Sequence, residues 1–323
     1  MVAARGRADL HGLVIVDKPE RLTSADVVDR LKRRFGLAKV GHAGTLDPIA
    51  TGLLPLCINE GTKLAAYLSE SGKAYRVRMK LGEATDTYDC TGQVIETASV
   101  TASAEAIADA LTKFVGPLMQ TPPVFSAKKQ QGKPLYKRVR AGEEIVAKPV
   151  AVELYSVQET HVESPFVEFT VRTSKGFYIR SLCHDLGRML GCGGHMTALR
   201  RTAHGPFTET DGLPLVELLD GGDPLLAERL IPLESERLEL PLVRLSPQLA
   251  QRVTQGLAIA AEETGGVVLA TPLEAGQTCR ALGADGRLLA LLSVAEPSLR
   301  WPELPSRQAV LIIARGMTYA SQS

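Results

Sequence analysis

The chain has 323 residues, about twice the roughly 150 of a typical domain, which points to one large domain with a smaller companion. With 45% hydrophobic and 23% charged residues, it falls among ordinary globular proteins and outside the disordered and fibrous classes. A formal charge of +1 excludes a globally basic protein, so any nucleic-acid surface must come from local clusters of Lys and Arg.

The five cysteines, Cys57, Cys90, Cys183, Cys192 and Cys279, are scattered and odd in number. This argues against a disulfide framework and for a reducing compartment. The opening residues MVAARGRADLHG lack the apolar core of a signal peptide, and no stretch approaches the roughly 18 apolar residues of a membrane span. The expectation is a cytoplasmic protein with no membrane partner.

Gly12 to Val16 reads as a short strand, broken by Asp17-Lys18-Pro19. A helix follows: Thr23 and Asp26 have capping-box spacing, Val27, Leu31 and Phe35 recur at helical intervals, and Gly36 suits the exit. Lys32, Arg33 and Arg34 complement the negative end of the helix dipole. Residues 41–55, GHAGTLDPIATGLLP, hold three glycines and two prolines, which predicts an irregular segment of fixed shape.

From Ala74 to Leu81 the side chains alternate. Tyr75, Val77, Met79 and Leu81 share one face, and Arg76, Arg78 and Lys80 the other, predicting a half-buried strand with a basic outer face. Ser103 caps a predicted helix with Ile107, Leu111 and Phe114 inward, ending near Gly116. Residues 121–150 show no clear period. Val167, Phe169 and Val171 alternate as a strand up to the Ser174-Lys175-Gly176 turn. Leu182, Leu186 and Leu190 then mark a helix closed by Gly191. After about residue 240, short strands punctuated by glycine predict a small β-rich second domain.

Asp47, among glycines and followed by Pro48, has a restricted backbone and little bulk around it. An ordinary Asp-Pro turn is the plainer alternative on composition alone. Lys128, Lys129, Lys133, Lys137, Arg138 and Arg140 form a run with no acid among them; it suits phosphate binding or, equally, a solvated charged face. Arg180 falls at the start of a helix, where a cation meets the positive end of the dipole unless an anion offsets it.

Cys183, His184, Cys192 and His195 do not make a zinc site, because there is no paired C-x-x-C and the first two diverge from one helix. Tyr75 and His42, each taken alone, read as a core tyrosine and a loop histidine. Phosphate-loop, dinucleotide, zincin and hydrolase-elbow motifs are all absent, so chemistry without cofactor or metal is expected.

Four blocks, LVIVDKP with Thr23-Ser24, GHAGTLDPIATGLLP, SAKKQQGKPLYKRVRAG, and SKGFYIRSLCHDLG with GCGGHMTALRR, resemble in order and spacing the bacterial tRNA pseudouridine-55 synthases, the TruB family. The resemblance implies an α+β fold. Its catalytic domain, residues 1–240, would carry a mixed, mainly antiparallel sheet flanked by helices, with an RNA-clamping insertion at about 121–150. A small PUA-like β-barrel would occupy 241–323.

It further implies isomerisation of uridine-55 in the T loop of tRNA, on a flipped-out base. Asp47 would be catalytic, Tyr75 stacked on the base, and Arg180 ion-paired with Asp47. His42 would help reorder the T loop, and Tyr178 and Leu199 would line the uridine pocket. Lys18, with Pro19, would support the active-site loops and count with Lys128 and Lys129 among the substrate-binding residues.

The isomerisation changes no oxidation state and needs no donor. Asp47 would attack the sugar, open a glycal route as a base, or attack the base ring; the ion pair with Arg180 is expected to depress its pKa. A synthase for another RNA, and a non-catalytic RNA-binding protein or tRNA-folding chaperone, are the rival readings. Without a long heptad or large apolar stripe, a monomer is expected.

Overall fold

A computed structural model describes residues 9–126, 129–130, 133–134, 143 and 147–318. Its centre is a ten-stranded mixed sheet. Gly12–Lys18, Leu13 to Val16 of which are buried on both faces, pairs antiparallel with Thr51–Ile58 and parallel with Leu213–Pro214. Beyond Thr51–Ile58 come Gly194–His204, Lys73–Leu81, Phe166–Thr173, Val150–Glu163 and Gly116–Gln120. All of these pairs are antiparallel except the one between Thr51–Ile58 and Gly194–His204, which is parallel and only two residues long, Thr51 with Arg200 and Gly52 with Arg201.

That short seam is where the Asp47 loop sits. It demands Gly52, with φ +98°, because a Cβ there would lie 2.3 Å from the Arg201 carbonyl oxygen. The prediction of irregular backbone over residues 41–55 is corrected at both ends. Val40–His42 and Thr51–Ile58 are paired strands, leaving only 43–50 irregular. Pro55 is tolerated in its strand, its carbonyl accepting from Ala43 N at 3.0 Å. The apolar run Leu53 to Ile58, buried throughout, outweighs the breaker residues.

Helix Ser24–Phe35 forms as its sequence predicts. Asp26 N donates to Thr23 Oγ1 at 3.0 Å and Thr23 N to the Asp26 carboxylate at 2.8 Å, Gly36 closes it in the left-handed region, and Val27, Leu31 and Phe35 enter the core. Lys73–Leu81 alternates as expected, with Tyr75, Val77, Met79 and Leu81 buried and Arg76 and Arg78 exposed. The helix capped by Ser103 spans Ala104–Thr112, and Gly116 instead begins the outermost strand.

From Val243 a second core forms, including Leu245, Leu249, Leu292, Trp301 and Val310. It lies within a six-stranded sheet that curls into half a barrel. Leu282, Leu288 and Leu291 of this unit join Leu13, Ile15 and Leu53 of the large sheet in a shared apolar cluster. Arg280, 1% exposed, spans the junction, donating to the carbonyls of Leu233 at 2.8 Å, Ser235 at 2.6 Å and Leu240 at 2.8 and 3.1 Å.

Candidate active site

The Asp47 loop is held from three sides. Ser24, at the first turn of its helix, accepts from Leu46 N at 2.9 Å and donates to Leu46 O at 3.2 Å. Lys18 is fully buried, and its ammonium donates to the carbonyls of Leu22 at 2.7 Å, Pro19 at 2.9 Å and Pro48 at 3.4 Å. Burial pulls its pKa down to about 8. Lys18 therefore supports the loop from behind and has no exposed surface. Arg201, also without exposed surface, donates to the carbonyls of Gly44 at 3.1 Å, Thr45 at 3.5 Å and Leu53 at 2.6 Å.

The loop presents Asp47 to Arg180, which lies in the first turn of Ile179–Met189 and is 7% exposed. Arg180 Nε meets Asp47 Oδ2 at 2.9 Å and Nη2 donates to Oδ1 at 3.3 Å, a two-point contact. The same guanidinium reaches Asp89 Oδ2 at 3.5 Å and donates to the carbonyls of Thr87 at 3.3 Å and Phe125 at 3.1 Å. A cation at a helix N-terminus calls for an anion, and two carboxylates supply it.

Burial pushes the Asp47 carboxyl above its usual range; Arg180 opposes this, and the Asp89 carboxylate adds to it. The expectation of a depressed pKa is thus overturned, because desolvation and a second carboxylate together outweigh one shared arginine. The side chain nevertheless keeps 35% of its surface open, so a ligand can reach it.

Asp47 borders a pocket of about 370 Å³ whose walls include Tyr75, Tyr178, Leu199, Arg180, Lys73 and Arg201. That volume suits a small-molecule or nucleoside-sized group. Tyr75 and Leu199 come from neighbouring strands, paired Leu199 with Val77 and Arg201 with Tyr75. Tyr178 is fixed through its backbone, its N donating to Gln120 Oε1 at 2.7 Å and its O accepting from Gln120 Nε2 at 2.9 Å.

His42 is not brought to the pocket wall. It is half-buried on its short strand opposite Leu56, its Nδ1 buried without a partner, and burial lowers its pKa. Lys128 lies outside the described residues, as does the side chain of Lys129, whose backbone pairs in a two-stranded ribbon with Lys133–Pro134.

Sequence reasoning missed four site residues. Asp89, held by Thr87 Oγ1 at 2.9 Å and Thr91 N at 3.0 Å, lies in TDTYDCTG, whose density of Asp and Thr was a signal. Arg201 follows Leu199 by two residues on the same face of a strand, so alternation could have found it. Lys73 opens the Tyr75 strand. Gln120 left no local trace. Among the described residues there is no cluster of metal-ligating side chains and no helix long and apolar enough to cross a membrane.

The fold has close counterparts among solved structures. A chain of a Cbf5-Nop10-Gar1 complex superposes with TM-score 0.74 at 27% identity, over 94% of this chain and 84% of that one. A chain of an H/ACA RNP bound to a substrate RNA containing 2′-deoxyuridine gives 0.73 at 25%, over 95% and 85%.

Residues 32–179 match the N-terminal domain of the TruB family pseudouridylate synthases, and residues 180–236 the tRNA pseudouridylate synthase B C-terminal domain. The protein is a pseudouridine synthase, an isomerase. tRNA pseudouridine synthase B of Mannheimia succiniciproducens is 41% identical over 78% of this chain and 84% of its own length. That of Rhodospirillum rubrum is 38% identical over 92% and 96%. The chain belongs to the TruB family.

Proposed function

We propose that this enzyme converts uridine-55 in the T loop of tRNA to pseudouridine, with Asp47 as the carboxylate acting at the sugar of a flipped-out nucleotide. The observation that carries the reading is the ion pair of Asp47 and Arg180 at a nucleoside-sized pocket walled by Tyr75 and Leu199. The names of the relatives supply the tRNA.

A uridine inside a folded loop must leave its stack to reach such a pocket, at a cost of about a few kcal/mol, and stacking on an aromatic ring offsets it. Tyr75 provides that ring. The curled C-terminal sheet, in the position of a PUA-like domain, and the basic run from Lys128 to Arg140 offer further contacts to RNA. The test is incubation with an unmodified tRNA transcript and mapping of pseudouridine by position, with a T-loop mutant as control. Absence of product at the T-loop uridine would refute the proposal.

Asp47→Asn should abolish turnover while leaving tRNA affinity within several-fold, since it removes charge and little volume. The same variant separates catalysis from a tRNA-folding role, which it would leave intact.

A further inference from the structure

Two cations in the pocket wall have no acidic partner among the described residues. Lys73 is half-buried and donates to the carbonyls of Ser69 at 2.9 Å and Ser71 at 2.7 Å. Arg201 is fully buried and donates to the carbonyls of Leu53, Thr45 and Gly44. Among the described residues no carboxylate acts on either. Beside them lies His204, whose Nε2 donates to the Leu68 carbonyl at 2.9 Å; burial, with the two cations adding to it, keeps the ring neutral.

The catalytic loop rests directly on this group. A Cβ on Gly44, whose φ is +101°, would stand 3.1 Å from His204 Cε1 and 3.5 Å from both Arg201 Nη1 and Lys73 Cε. The acids of the site, Asp47 and Asp89, are both engaged by Arg180. Positive charge withdrawn from water without a counter-ion costs several kcal/mol. Its presence in a reaction pocket marks where negative charge is to be received.

On the reading of this pocket as a pseudouridine synthase site, that charge has an identifiable source. When the bond between N1 and C1′ breaks, its electron pair stays with N1 and the pyrimidine becomes an anion spread over N1, O2 and O4. Asp47 meanwhile either bonds to C1′ or takes the C2′ proton. The ring then turns, and C5 uses an electron pair to bond C1′, which releases Asp47 or regains the C2′ proton. The C5 proton is lost and N1 gains one, so atoms and charge balance.

We propose that Lys73, backed by Arg201, forms the subsite that holds this pyrimidine anion between departure from N1 and reattachment at C5. A backbone phosphate, by contrast, carries its charge before the reaction begins, so a lysine serving it would act on binding and not on rate.

The experiment compares wild type, Lys73→Met and Lys73→Arg in single turnover on two tRNA transcripts, one with uridine and one with 5-fluorouridine at the target position. Fluorine withdraws electrons and stabilises the pyrimidine anion by itself. It also blocks loss of a proton from C5, so consumption of the nucleoside is the readout. Lys73→Met should lower the uridine rate by about 100-fold, lower consumption of 5-fluorouridine by less than about 10-fold, and leave tRNA affinity within about threefold, while Lys73→Arg recovers part of the rate. Equal losses on both substrates would overturn the inference, since partial misfolding or lost positioning affects both alike. Weakened affinity at unchanged rate would overturn it in favour of a phosphate contact. Wild-type protein inert on both transcripts would overturn the activity itself, and the inference with it.

Discussion

Replacing Asp89 by Asn tests the shared-arginine reading of the site, because it moves two observables in opposite senses. Asp89 is 6% exposed and approaches Arg180 at 3.5 Å, while Asp47 approaches the same guanidinium at 2.9 Å. Asparagine keeps an oxygen for Thr87 Oγ1 and Thr91 N but removes the charge.

Loss of a buried hydrogen-bonded partner of an ion is worth about 1.5–3 kcal/mol, so kcat/KM should fall roughly 10- to 100-fold as Arg180 loses one of its two carboxylate partners. Asp89 also raises the Asp47 pKa as a like charge. Its removal must therefore lower that pKa. Because the reaction needs ionised Asp47, activity is lost as pH falls through its pKa, and the acid limb should begin above the ordinary carboxylate value in wild type and move down in Asp89→Asn. Single-turnover rates on an unmodified tRNA transcript across the stable pH range measure both effects, with the thermal midpoint confirming folding. An unchanged rate, or an acid limb displaced upward, would refute the reasoning.

Lys18→Met should reduce turnover at least tenfold with little change in tRNA affinity, as three carbonyls around the loop lose about 1–3 kcal/mol of hydrogen bonding; unchanged kcat would mean that the clamp is dispensable. The wild-type rate should also fall as pH rises past about 8, where burial places the ammonium groups of both Lys73 and Lys18; Lys73→Met should lose the part of this fall that Lys73 causes and keep the part set by Lys18, and a pH profile identical to wild type would count against Lys73. Arg280→Met should lower the unfolding free energy by about 2–3 kcal/mol, read from the urea midpoint, because it strips the carbonyls of Leu233, Ser235 and Leu240 of their donor. Gly52→Ala should prevent stable folding, since the new Cβ collides with the Arg201 backbone; soluble, active protein would show that the seam can open.

Helix Ser24–Phe35 and the Lys73–Leu81 strand were legible because their signals are local: a capping box, a left-handed glycine and a two-residue alternation. Arg180 was legible by a demand left unmet, a cation at a helix start without an anion. Gln120 was not, since it meets Tyr178 across 58 positions with no local pattern; the Asp- and Thr-rich TDTYDCTG segment marked Asp89 as a polar site but not its pairing with Arg180 across the fold. Thr51–Ile58 misled for a physical reason. Gly52 and Pro55 are breakers in isolation, but Gly52 allows the close approach of Arg201 and the Pro55 carbonyl is satisfied by Ala43. Tertiary pairing overrode propensity there. The pKa of Asp47 was misjudged because attraction by Arg180 can be inferred from a pairing, whereas desolvation and a second carboxylate require the folded site.

These charges have a common logic. Breaking a glycosidic bond leaves C1′ positive and the base negative, so the transition state is a dipole of known direction. A pocket complementary to it needs a negative group beside the sugar and positive groups around the base, already oriented before the reaction. Asp47 meets the first need: burial raises its pKa, the Asp89 carboxylate adds to the rise, and Arg180, which Asp89 shares, does not offset them fully. A carboxylate so placed is a stronger base and nucleophile than one with an arginine to itself. Lys73 and Arg201 meet the second need from the strands that carry Tyr75 and Leu199, so the elements that grip the uracil ring also bring the charge that stabilises its departure. Sequestering those cations from carboxylates is unfavourable for folding. It is coherent in a site whose substrate supplies the missing negative charge, and the C–N bond cleavage develops that charge where these cations stand.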